Sequence, residues 1–158
     1  MFSHKLPINS LLLRFSVSCV ALLGAAAGSA FAQGALVPLH PLAGASDGRH
    51  PIAGLVQGSD GSFYGTTQDG GPANAGTVYK TDGADGTTFR VLHSFSGGSD
   101  GGNPNAALVL ASDGSLFGTT ICGGGTANCF AVDALNAGSG TIFKIDGNGG
   151  FSTVHVFA

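Results

Sequence analysis

The stretch AALVLASDGSLFGTT, Ala106–Thr120, is a second copy: Ala53–Thr67 reads AGLVQGSDGSFYGTT, 53 residues earlier, with ten of the fifteen positions identical. A period near 50 residues is the mark of a repeat architecture, and it governs the reading of everything around it. The same offset extends upstream. LVPLHPLAGASDGRHPIAGLV begins at Leu36 and FRVLHSFSGGSDGGNPNAALV at Phe89, so His40 aligns with His93, Asp47 with Asp100, and Pro51 with Pro104. FSTVHVF, Phe151–Phe157, repeats the same segment again, with His155 in the histidine position. Downstream, Gly76-Thr77-Val78-Tyr79-Lys80 returns as Gly140-Thr141-Ile142-Phe143-Lys144 at an offset of 64, so eleven residues are inserted in the second copy.

Each unit parses into four short strands separated by turns. They are expected at 53–57, 63–68, 77–81 and 89–95 in the first unit, and at 106–110, 116–121, 141–145 and 151–157 in the second. Asp-Gly between apolar runs is a strong hairpin signal, because glycine takes positive φ without a Cβ penalty. Along the fourth strand, Phe89, Val91, His93 and Phe95 are expected to share one face by the two-residue period. Four antiparallel strands every 50 or so residues describe a β-propeller blade. The expected fold is therefore all-β and propeller-like, with two complete repeats at about 53–95 and 106–157. An extra N-terminal strand is expected at 36–42.

Composition agrees. All nine acidic residues are Asp, Gly numbers 28, and Lys and Arg together number six. Asp and Gly favour tight turns, whereas the usual helix formers are scarce. At the N-terminus, Lys5 and Arg14 precede an apolar, Ala-rich run that ends in Ala30-Phe31-Ala32. This is the pattern of a secretory signal peptide over residues 1–32, leaving 33–158 as the mature domain with Gln33 first. The run is too short and too rich in Ala and Gly for a membrane span, so none is expected after cleavage. The mature segment keeps four Lys and Arg against nine Asp, and that acidic balance argues against nucleic-acid or anionic-lipid partners. A secreted, periplasmic or cell-envelope location follows.

The runs VLHSFSGGSDGGNPNAALVLASDGSLFGTT and GTVYKTDG resemble the GloVer-type (Gloeobacter/Verrucomicrobium) tandem repeat of bacterial exported proteins, over Val37 to the C-terminus. The resemblance implies an exported repeat protein and assigns no biochemical activity.

Candidate chemistry is sparse. His40, His93 and His155 recur once per unit and are expected to pack, each with one ring nitrogen hydrogen-bonded, rather than to share a metal. His50 has no visible partner in the sequence. Asp47, Asp60, Asp100 and Asp113 are read as repeat-turn residues, each carboxylate accepting the backbone N–H two residues on. Each loop offers one carboxylate, short of the oxygen set calcium needs. No G-x-S-x-G elbow or phosphate loop is present. No catalytic, cofactor-binding or metal residues are therefore assigned. Cys122 and Cys129, in CGGGTANC within the inserted loop, are expected to form a disulfide in an oxidising compartment. The function expected is a non-enzymatic exported module for surface display or for binding a protein or glycan ligand. The rivals are a propeller-type enzyme (a lyase or lactonase) and a fragment of a longer repeat protein. Because each blade buries its faces only against neighbours, two blades predict either self-association or marginal stability.

Overall fold

Between the Asp-Gly turns the chain is rich in Val, Ile, Thr, Phe and Tyr, and in the computed structural model these segments are strands. The structure describes residues 38–82, 88–124, 129 and 138–157, all within one unit spanning Val37–Ala158. The expected leader, 1–32, lies outside the described residues. The first repeat forms β1 (Val56–Gln57), β2 (Phe63–Thr67), β3 (Thr77–Thr81) and β4 (Phe89–Ser94), paired antiparallel in chain order. The second contributes β5 (Gly102–Pro104), β6 (Val109–Leu110), β7 (Leu116–Cys122), β8 (Thr141–Ile145) and β9 (Phe151–Val156). Here β7, β8 and β9 run in order, while β5 and β6 both pair with β7. The fold is all-β, with no helix among the described residues, and neither sheet closes on itself.

The sheets pack back to front. Val56, Tyr64, Val78 and Leu92 of the first sheet meet Leu108, Leu116, Phe143, Ile145 and Phe151 of the second. Phe95, at the end of β4, lies between them with its ring edge-on to Phe143 and Phe151. Val78, Phe95, Phe143 and Ile145 are essentially inaccessible to water. Each such burial stabilises by roughly 1.5–3 kcal/mol before conformational entropy is set against it.

A buried threonine pair closes the end of each unit. Thr67 and Thr77 hydroxyls lie 2.8 Å apart, and Thr77 Oγ1 donates to the Asp47 carbonyl at 3.1 Å. Thr120 and Thr141 repeat this at 2.9 Å, with Thr141 donating to the Asp100 carbonyl at 3.3 Å. The loop residue pressed against each pair is a glycine. At Gly101 (φ +88°) a Cβ would fall 2.3 Å from Thr120 Oγ1, and at Gly48 (φ +103°) 2.1 Å from Thr67 Oγ1. No other residue type satisfies both the positive φ and the close approach.

Three expectations need correction. The leading strand at 36–42 is not a strand over its described part, 38–42. Pro38 and Pro41 donate no N–H, and among the described residues no neighbouring strand offers the segment a ladder. The alternation along β4 also breaks. A bulge lies opposite Val78 and Tyr79, so that Tyr79 pairs with Val91 but Val78 pairs with His93. Phe89 and Val91 therefore stay on the front of the sheet with Tyr79, while His93 turns to the back. The same bulge recurs in β9, where Phe143 pairs with Thr153 and Ile142 with His155. Finally, β5 was not expected. Its unit-one counterpart is only an isolated bridge, Arg49 to Asp69.

Candidate functional site

The bulge gives the recurring histidine its task. His93 stacks on Phe151 of the next sheet at 3.6 Å between ring centroids and 7° between planes, while its edge meets Phe95 at 4.9 Å. Its Nε2 lies 3.0 Å from Asp100, whose carboxylate also accepts the Ser96 N–H at 3.0 Å. The leading segment repeats the set. His40 stacks on Phe89 at 3.8 Å and 7°, its Nε2 is 3.0 Å from Asp47, and Asp47 accepts the Ala43 and Gly44 N–H groups. Desolvation raises the Asp47 carboxyl, yet the Ala43 N–H, His40 and the Gly44 N–H together outweigh it, and its pKa is lowered. Burial lowers the His93 pKa against the pull of Asp100. The expected packing role with one nitrogen bonded is what His40 and His93 show. His155 has the same edge contact, to Phe157 at 4.9 Å, but it is exposed.

The turn aspartates divide into two types. Asp60 and Asp113 cap their own hairpins, each accepting the N–H two residues on, from Ser62 at 3.1 Å and Ser115 at 2.9 Å. Lys80 lies 2.7 Å from Asp60 and, with the Ser62 N–H and the Tyr64 hydroxyl, holds that carboxyl far below the usual range. For Asp113 the lowering comes first from the Ser115 N–H, since Lys144 stands 3.8 Å away. Asp47 and Asp100 instead accept N–H groups from residues before them, Asp47 from Ala43 and Gly44 and Asp100 from Ser96. Among the described residues no group of three or more His, Cys, Asp or Glu comes together as a metal set. Cys122 and Cys129 are joined in a disulfide with Cα atoms 5.1 Å apart.

One polar cluster was missed. His50, in left-handed backbone (φ +55°), places Nδ1 2.6 Å from Asp69. Asn103, also left-handed at φ +54°, donates Nδ2 to Asp69 Oδ1 at 3.1 Å and to the Gln68 carbonyl at 3.0 Å. Asp69 is thus gripped by its own unit and by the next. The His50 side chain remains 62% exposed. The signal lay in the repeat alignment. His50 aligns with Asn103 and Asp69 with Cys122 at the offset of 53, two polar positions where otherwise matched repeats differ in chemistry.

The described chain is thus a tandem-repeat β-sheet protein in which nearly every recurring polar side chain clasps a turn or joins one sheet to the next. A family model described as the Gloeobacter/Verrucomicrobia repeat matches residues 30–158, and the chain belongs to that family. Comparison with curated proteins returns no match.

Proposed function

We propose that this chain is an exported, non-enzymatic repeat module at or beyond the cell envelope, binding a protein or glycan partner through its loops. Its two sheets are read as neighbouring blades of propeller type. One observation carries the reading: the repeats match contact for contact. His40–Asp47–Phe89 answers His93–Asp100–Phe151, and Thr67–Thr77 answers Thr120–Thr141. Side chains tied up in architecture on both units are not free to do chemistry on one. The Cys122–Cys129 bridge fits an oxidising compartment.

A second reading, an enzyme, is favoured by the cluster that breaks the symmetry. A carboxylate holding a largely exposed imidazole by Nδ1 is the arrangement a general base needs. Two measurements separate the readings. Fractionation with N-terminal mass spectrometry should find the protein outside the cytoplasm, beginning at Gln33, and protease should remove it from intact cells. Cytoplasmic protein that retains Met1 overturns export. Turnover of lactones or uronate polysaccharides that is lost in His50→Ala would overturn the non-enzymatic reading.

A further inference from the structure

The front of the first sheet carries an apolar groove of about 280 Å³ between Leu39, Leu42, Pro51, Leu55, Tyr79 and Phe89. Their counterparts one repeat further on are Leu92, Phe95, Pro104, Leu108, Phe143 and Phe151. There the same surface is no groove, because Val56, Tyr64 and Val78 of the preceding sheet pack against it. The counterparts of those three covering residues are Val109, Phe117 and Ile142, on the outer face of the second sheet. On that face Val109 is 66% exposed and Val154 55%, while Phe117 and Ile142 are half-buried. The groove and the outer face are thus the two halves of a contact the chain already makes once, between its own sheets.

From this we infer that a second copy of the chain docks head to tail, its Val109–Phe117–Ile142 face covering Pro51, Leu55, Tyr79 and Phe89 and its His155 stacking on Phe89. The inference rests on the blade reading above. His155 is set for the task, since its edge contact with Phe157 at 4.9 Å and 79° reproduces that of His93 with Phe95 at 4.9 Å and 84°. The place over Phe89 is held by His40 of the leading segment. His40 and His155 occupy the same repeat position, and two chains cannot fill it together. The leading segment 38–43 is therefore a competitor that mimics an outer strand, and it leaves when the copy arrives. Such a contact is heterologous, so it propagates into a ring or an open stack rather than stopping at a symmetric dimer.

The test is sedimentation velocity on the purified, oxidised protein over a wide concentration range. The wild type should exceed dimer mass as concentration rises. Leu55→Asp charges the groove and Val154→Asp the opposite face; both side chains are at least half exposed, and circular dichroism checks that each variant folds. Each alone should be monomeric, and the two mixed should form one capped heterodimer, since each keeps the half the other lacks. His155→Ala should weaken association about 2- to 10-fold, the range of a lost ring stack, while His40→Ala should strengthen it. Either variant dimerising by itself shows a symmetric contact and overturns the proposal. So does a wild type that stays monomeric throughout. That last result leaves the blade reading standing if Leu108→Ala still destabilises the monomer far more than Leu55→Ala.

Discussion

Leu55 and Leu108 occupy the same repeat position with the same side chain, yet Leu108 is 5% exposed and Leu55 50%. The difference arises because the first sheet covers the front of the second, whereas among the described residues the front of the first meets no sheet and is covered in part by the leading segment, with His40 on Phe89. Leu108→Ala removes atoms from the closed core beside Phe143, where neither water nor a neighbour can fill the space. Such a change costs about 2–5 kcal/mol, transfer and cavity together. Leu55→Ala forfeits only about half of a leucine's transfer energy of roughly 1.5–3 kcal/mol, and its hole opens to solvent. The gap between the variants should thus be about 1–3 kcal/mol. Urea unfolding of dilute, oxidised protein measures it as a difference in midpoint at an unchanged slope. Equal losses, or a greater loss at Leu55, would show that the sheets do not pack back to front as described. Raising the protein concentration should enlarge the Leu55→Ala effect if copies dock over the groove.

Gly101→Ala should destabilise by about 2–4 kcal/mol, because left-handed backbone and a Cβ against the Thr120–Thr141 pair act together; thermal melting measures it, and a neutral outcome would mean the loop relaxes freely. Reducing Cys122–Cys129 should cost about 2–3 kcal/mol by freeing a short loop in the unfolded chain, and peptide mapping without reductant should find the two linked. Acid should act in two steps. The His93 pKa is lowered by burial from 6.5, so the unfolded chain takes that proton first and stability falls as pH drops below 6.5, levelling once the folded state is protonated too. The Asp60 pKa is lowered from 3.8, chiefly by Lys80, so its contribution is present above 3.8 and is lost as pH falls further. In melting curves against pH, His93→Gln should flatten the first step and Asp60→Asn the second. Asp60→Ala should lower the melting temperature more than Asp113→Ala, since it removes the partner of the Ser62 N–H, the Tyr64 hydroxyl and a close Lys80, whereas Asp113→Ala removes that of Ser115 and a more distant Lys144. Calorimetry should find no calcium binding that either variant abolishes.

Much of this architecture was legible in the chain because its determinants are local. A strand such as Thr77–Thr81 needs only its β-branched and aromatic residues, and the hairpin after Asp60 only its Asp-Gly turn; both recur in the second copy, at offsets of 64 and 53. The Cys122–Cys129 bridge was legible for the same reason, two cysteines brought within reach by one short loop. What the chain alone could not decide depends on partners distant in sequence. Whether β4 alternates cleanly or bulges at Leu92 is a choice of register against β3, and that choice turned His93 from the front of the sheet onto Phe151. Gly102-Asn103-Pro104 has the chemistry of a turn and becomes a strand only because the end of β7 offers it a ladder. Asp69 finds His50 and Asn103 because two loops and two repeats converge there. Leu55 and Leu108, alike in sequence, differ in burial because burial is a property of the neighbour, and only the packing of one sheet on the other says which of them has one.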